Sequence, residues 1–326
     1  DMGELQWQAA QQAAMLRTAQ RYLDLAVAQE ALRVLDGQLD AVQKAATEAQ
    51  DRFDMGAAPI TAVHEARAQR ANLEAQRLAA QADLDVKRRQ LADATGLPAA
   101  SLDARLPAAA WPGAAQALAV WQEQADAGNP GIRLQQLAAD VARAEADKHR
   151  AAASARVELV AQAAQDRLSG SGDFGGDARN KDTRAMLGVQ LTVPLDTGGY
   201  RSAKEEESLA QWNQAQAQLD ATREQVGRQV HAAWLGLQAG AQRVQALQEA
   251  LAASLARQDA TRTGYEVGHR TLLDVLHADN DTAATRLALA QARSALLLHR
   301  LQLAQLAGQL DEAVLRQASQ ALAGAP

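Results

Sequence analysis

The chain has little of what a compact enzyme core usually requires. Of its 326 residues only 3% are aromatic, and there is no cysteine. Aromatic side chains supply much of the buried area of globular cores, so their scarcity indicates thin helix packing with small side chains at the contacts. The absence of cysteine excludes thiol catalysis and cysteine-ligated metal sites. No apolar run approaches the roughly 20 residues of a membrane-spanning helix.

Chemistry-bearing motifs are also missing from the sequence. The net charge is −6, so no overall basic footprint points to nucleic acid. No two of the six histidines stand four residues apart as zinc-binding pairs on a helix do. No glycine-rich phosphate loop precedes a helix, and no carboxylate stands beside a candidate nucleophile. We therefore predict no catalytic residue, no cofactor and no metal site, and hence no enzyme.

The sequence contains an internal duplication. Gly56 aligns with Gly268 at an offset of 212 residues, and the same offset places Gly96 on Gly308. A register kept over this distance predicts two copies of one unit: a long helix, a glycine turn and a return helix.

Helical spacing dominates both copies. In the first, apolar residues alternate in steps of three and four, the pattern of a coiled-coil seam: Leu25, Ala28, Leu32, Leu35, Leu39, Val42, Ala46, Ala49 and Phe53. We predict helices over 5–53, 60–95, 200–264 and 271–307, with shorter ones over about 114–127 and 131–153. The fold class is mainly α with a small β part.

One segment predicts β-structure instead. Residues 156–163 alternate imperfectly, 169–182 read as a Gly/Ser/Asp loop, and 187–195 alternate strictly. Five apolar side chains there share one face, as in a membrane-barrel strand: Leu187, Val189, Leu191, Val193 and Leu195. A solvent-facing hairpin on a soluble domain has the same pattern, so both interpretations stay open.

The ordered set of motifs resembles the TolC-like outer-membrane factor family. It comprises Asn129-Pro130, the run from Pro194 to Gly199, Tyr265 to Gly268, Leu273 to Leu276, and Leu306 to Leu310. The resemblance implies a homotrimer whose β-strands form one shared barrel in the outer membrane and whose helices form a periplasmic tunnel. Subunits of that family contribute four strands, whereas two are visible here, so we expect the first repeat to be truncated.

The expected division of the chain follows from the duplication and the resemblance. It has six parts: a first-repeat helical hairpin at 1–96, a linker with a short helix at 97–130, a helix at 131–155, the outer-membrane β-hairpin at 156–197, a second-repeat helical hairpin at 198–308 with its periplasmic tip at 265–274, and a tail at 309–326.

The resemblance also implies a gate at the tip. The family closes its periplasmic end through polar links from a Tyr and an Arg, which match Tyr265 and Arg270. Their acidic partner in the first repeat should follow Thr61, where this chain has Ala62, so hydrogen bonds to backbone near Thr61 are expected instead of an ion pair.

Two further tip residues match an acidic entrance. Asp274 matches a position whose threefold copies form a ring that favours cations and raises its own pKa by repulsion. His277, one turn on, would make the entrance responsive to pH. The alternative for all these gate residues is ordinary polar surface at a helix tip.

The implied function is a passive exit duct of a tripartite type I secretion system that exports a protein toxin, closest to the exporter of adenylate cyclase toxin. Its expected partners are a periplasmic adaptor, an inner-membrane ABC transporter, the exported protein and outer-membrane lipid, with no nucleic acid. One alternative is multidrug or metal efflux. Another, of a different class, is a soluble coiled-coil scaffold.

Overall fold

A computed structural model describes residues 2–106, 116–151, 156–172, 176–193 and 198–323. It divides into two compact units, one made of residues 1–134 with 222–326 and the other of residues 135–221. Residues 194–197 of the run from Pro194 to Gly199, and residues 107–115 of the predicted linker, lie outside the described residues.

Long helices make up most of the chain, which confirms the mainly α class. In chain order the elements are α1 (Met2–Asp54), α2 (Ile60–Thr95), a 3₁₀ turn (Ala99–Ser101), α3 (Leu118–Gly128), α4 (Pro130–Ala151), β1 (Arg156–Gly172), β2 (Gly176–Thr192), α5 (Tyr200–Glu266), α6 (Leu272–Leu306) and α7 (Glu312–Ala323). The bounds of the four longest helices differ from the predicted ones by three residues or fewer. Within the described parts of the chain, every helix is too short or too polar to cross a bilayer.

The apolar seam predicted on α1 is buried in the core of the first unit. Leu25, Val42 and Ala49 are buried, while Phe53 is exposed because it lies at the end of the helix. Within the chain the seam contacts α2 and α6. One group of contacts near the turns is called the tip cluster below: Val42, Ala49, Val63, Ala66, Leu73, Leu272 and Leu276.

A tight junction joins the end of α3 to the end of α6. Gly308 has φ +71°, and a Cβ added there would collide with the carbonyl oxygen of Gly128. Beside it, the Asn129 side-chain amide donates to the carbonyl of Leu306 at 2.9 Å. The side-chain oxygen of Asn129, Oδ1, accepts from the backbone amide of Gly131 at 2.9 Å, at the start of α4. Glycine at both contact positions therefore lets the two backbones meet.

In the second unit, β1 and β2 form a continuous antiparallel hairpin from Arg156↔Thr192 to Gly172↔Gly176. The prediction of a loop over 169–182 is therefore wrong, since most of that segment is paired strand. The physical reason is that alternation reports which side chains are apolar on one face, whereas ladder hydrogen bonds form between backbones of any composition. Val193 follows the end of β2.

Candidate functional site

The candidate site is the pair of helical tips in the first unit. Gly56 and Gly268 end α1 and α5 with φ values of +73° and +82°, a conformation that glycine adopts without steric cost. In both turns the amide after the glycine donates at 2.7 Å to the carbonyl five residues back: Ala57 to Arg52, and His269 to Gly264. The two repeats thus build the same turn at the predicted offset.

The tips differ in how the return helix begins. Thr271 caps α6, and its hydroxyl accepts from the Asp274 amide at 3.2 Å. The Asp274 carboxylate in turn accepts from the Thr271 amide and hydroxyl, both at 2.9 Å. In the first repeat Pro59 occupies the cap without a side-chain bond, and Ala62 stands at the position equivalent to Asp274. Only the second tip therefore has a reciprocally bonded helix start.

These bonds set the charge of Asp274. The backbone hydrogen bond from Thr271, followed by the one from its hydroxyl, lowers the pKa of Asp274 below its ordinary value, with smaller help from Arg270 and His277. We expected repulsion between threefold copies to raise this pKa. Within one chain the hydrogen bonds act in the opposite direction and keep the carboxylate ionised.

Tyr265 links the second tip to the first repeat, but through its ring. It packs against the tip cluster, and the Arg52 guanidinium lies 4.6 Å from the ring centroid. Burial first, and then Glu48, raises the pKa of the Tyr265 hydroxyl, while Arg52 opposes that rise. A cation over an aromatic face contributes about 0.5–1 kcal/mol at a partly exposed site.

The expected hydrogen bonds near Thr61 are absent from the contacts of the described residues. Thr61 is exposed on the first turn of α2, and Arg270 is exposed on the second tip, with its stem against Gly264. Sequence reasoning did not find the Arg52–Tyr265 contact, because the pair joins different repeats and no local spacing relates them. His277 is exposed one turn beyond Asp274, so both present charge or polarity at the tip surface.

A carboxamide network joins three helices farther from the turns. The Asn280 side-chain oxygen on α6 accepts from the amides of Gln38 on α1 at 2.9 Å and of Gln69 on α2 at 3.1 Å. A groove of about 350 Å³ lies beside it, also lined by Asn72 and Gln76. The sequence signal was present, since Gln69, Asn72 and Gln76 share one helical face.

The hairpin of the second unit carries the membrane-strand candidates. Leu187, Val189 and Leu191 lie on one face of β2 and are 62 to 76% exposed, as are Val157 and Leu159 opposite them on β1. Val193, just beyond the strand, is also exposed. The apolar face is thus continuous across both strands and uncovered within the chain.

No group of three or more histidine, cysteine or acidic side chains able to hold a metal occurs among the described residues. The tips present charged and packed side chains, and the hairpin presents an exposed apolar surface.

A family model described as "Outer membrane efflux protein" matches residues 121–309. The chain is 30% identical over 273 residues to the outer membrane efflux protein BepC of Brucella suis, which covers 83% of this chain and 58% of BepC. It is 28% identical to the outer membrane protein TolC of Vibrio cholerae, over 94% of this chain and 70% of that protein. It is also 28% identical to the proteases secretion protein PrtF of Dickeya chrysanthemi, over 91% of this chain and 64% of PrtF.

Among solved structures, the fold is similar to that of the outer membrane protein VceC from Vibrio cholerae. The TM-score is 0.75 at 22% identity, with 94% of this chain and 72% of VceC covered. The chain thus spans between 58 and 72% of the lengths of the proteins it matches here.

Proposed function

Because the chain belongs to the outer membrane efflux protein family, we propose that it is the outer-membrane exit duct of a tripartite type I secretion system that exports a protein. Localisation in the outer membrane with a periplasmic helical extension follows from the family. The secretion role is supported by similarity to PrtF, whose name describes protease secretion. A toxin is the cargo that the resemblance implies.

The uncovered apolar face of the hairpin carries this proposal. A soluble protein seldom leaves a continuous row of large apolar side chains in water. A bilayer accepts that face, but it also requires strand edges to be paired, because unpaired backbone groups cost several kcal/mol in lipid. Two strands cannot close on themselves, so we infer a barrel shared between copies of the chain, in a homotrimer as in the family.

The tip supplies the entrance in this proposal. Three copies of Asp274 around one axis would form a ring of carboxylates, each held in place by its own Thr271. Such a ring attracts cations and repels anions. Around it, the exposed polar surface of the tips is where a periplasmic adaptor would dock, with an inner-membrane ABC transporter providing energy.

A second candidate within the family is multidrug or metal efflux. It is favoured by the similarity to BepC, whose name describes efflux. A soluble coiled-coil scaffold is the remaining alternative, and it predicts a protein that needs no detergent.

The test is single-channel conductance of the purified protein in planar bilayers, with cation selectivity recorded. Asp274→Ala alone would be ambiguous because it removes both the charge and the helix cap. We therefore compare Asp274→Asn, which removes the charge but keeps an acceptor for the Thr271 amide, with Thr271→Ala, which removes the cap and keeps the charge.

The proposal expects long-lived pores whose cation selectivity falls in Asp274→Asn and is largely kept in Thr271→Ala. Pores whose cation selectivity is unchanged in Asp274→Asn would support the duct but contradict the placement of Asp274 at its entrance. A protein that stays soluble without detergent and gives no pores would favour the scaffold.

A further inference from the structure

The apolar face of the hairpin ends at a definite cross-strand pair. From the helices outward, its cross-strand pairs are Val157↔Leu191, Leu159↔Val189, Ala161↔Leu187 and Ala163↔Ala185. The next pair on this face is Gln165↔Thr183, whose side chains hydrogen-bond to each other at 3.2 Å. The hairpin then continues for several further cross-strand pairs, to Gly172↔Gly176.

The distance from the helical end of this face to Lys181 matches the thickness of a bilayer. A strand rises about 3.4 Å per residue, so Leu191 and Lys181 are separated by about 34 Å along β2. At the 35–45° tilt of barrel strands this distance spans about 24–28 Å across the membrane, close to the apolar band of about 25 Å that outer-membrane barrels present. Lys181 would therefore lie at the membrane surface remote from the helices.

Two cations face each other at that level. Arg167 and Lys181 form the pair beyond Gln165↔Thr183, and both are exposed on the same face as the apolar row. Like charges directly opposite on neighbouring strands destabilise a hairpin unless a counter-charge intervenes. Among the described residues neither cation has an acidic partner.

Other cations of the same unit do have partners. At the helical end of the hairpin Lys148 binds Glu145, and Lys204 binds Glu207, each at 2.8 Å. On the opposite face of the hairpin, Arg184 lies 2.6 Å from the carboxylate of Asp182. Among the residues that the structure describes, Arg167 and Lys181 thus differ from these cations in having no acidic partner, and they also lie at a different level of the hairpin.

We propose that Arg167 and Lys181 together bind the phosphate of a lipid headgroup in the leaflet remote from the helices. A phosphate oxygen accepts hydrogen bonds from a guanidinium and an ammonium at once, which would cancel the repulsion between the two cations. The lipid tails would then lie along the apolar row. This inference rests on the proposed function, because it requires the hairpin to enter a bilayer.

The test measures association of the full chain with vesicles of phosphatidylcholine, alone or containing diphosphorylated lipid A. Lys181→Gln and the double variant Arg167→Gln/Lys181→Gln are compared with Arg184→Gln, which removes one charge from the other face of the same strand. Each charge near an anionic membrane surface is worth about 1 kcal/mol. We expect binding to lipid A vesicles to weaken about fivefold in the single variant and about 25-fold in the double variant. Arg184→Gln should have no such effect.

Additional controls distinguish failure of this phosphate site from failure of the proposed function. The swap Arg167→Lys/Lys181→Arg keeps both charges and should keep the preference for lipid A. Inorganic phosphate at matched concentration should not compete, because the lipid tails hold the headgroup in place. Equal losses in the double variant and in Arg184→Gln, or a preference unchanged in the double variant, would overturn this site while leaving the duct intact. A wild type that enters neither kind of vesicle would overturn the proposed function and this inference with it.

Discussion

Gly308→Ala tests the junction on which the second repeat ends, and the duplication provides its control. Gly96 is the equivalent position of the first repeat, and both glycines have φ +71°. A Cβ on Gly96 would meet nothing within 4 Å, whereas a Cβ on Gly308 would collide with the carbonyl oxygen of Gly128. The two substitutions therefore share the same backbone strain and differ in packing.

The expected costs follow from this difference. Placing alanine in the left-handed region costs about 1–2 kcal/mol at either position. At Gly308 the backbones must also separate, and forcing an extra methyl into a close contact typically costs about 1–3 kcal/mol more. The separation would also strain the Asn129 hydrogen bond to Leu306 at the same junction.

Thermal unfolding followed by far-ultraviolet circular dichroism in detergent measures both variants. In a unit of this size each kcal/mol lowers Tm by about 2–4 °C. We expect Gly308→Ala to lower Tm by several degrees more than Gly96→Ala. Gly128→Ala, which adds a collision without a positive φ, should also destabilise. Equal Tm losses for Gly308→Ala and Gly96→Ala would refute the close approach.

Three further predictions concern the other elements. Leu187→Arg should prevent insertion into vesicles, because Leu187 lies near the middle of the span from Leu191 to Lys181 and a cation on the lipid face costs about 2–4 kcal/mol at the midplane. Met186→Arg on the other face should insert, and equal behaviour would contradict the assigned lipid face. Because the pKa of Asp274 is lowered in the folded chain, its contribution to stability is present above its unfolded pKa and is lost as pH falls through the lower folded value. An NMR titration should show a higher pKa of Asp274 in Thr271→Ala than in the wild type. Asn280→Ala leaves two half-buried glutamine amides without their acceptor, so the free energy of unfolding should fall by about 0.5–1.5 kcal/mol. No change in chemical denaturation would argue against the network.

The helices and turns were predictable because their signals are local. Steps of three and four along α1 specify a helix face, and Gly56 and Gly268 mark the turns by the conformation that only glycine adopts cheaply. The hairpin beyond Ala163 was not predictable in the same way. There the apolar alternation stops and the residues become polar, so the pattern resembles a loop although the backbone ladder continues.

The site was predictable in part. The resemblance led to Tyr265 and Asp274, and its gate role for them stays a prediction, while the structure adds a ring contact between Tyr265 and Arg52. That contact joins residues more than 200 positions apart, and nothing in the sequence specifies how the second tip packs on the first repeat. The spacing of Thr271 and Asp274 is a local capping signal for the start of α6.

Asp274 combines two effects that act oppositely on its pKa, and the combination suits an entrance ring. Repulsion among three carboxylates would favour protonation of one of them. The bonds from Thr271 favour the ionised form in each chain separately, so they offset that repulsion without involving the other copies. They also hold the carboxylate at the start of α6, which leaves it few alternative positions. We therefore expect such a ring to stay charged at neutral pH, and the pKa of its carboxylates, rather than their charge at neutral pH, to depend on the Thr271 side chain.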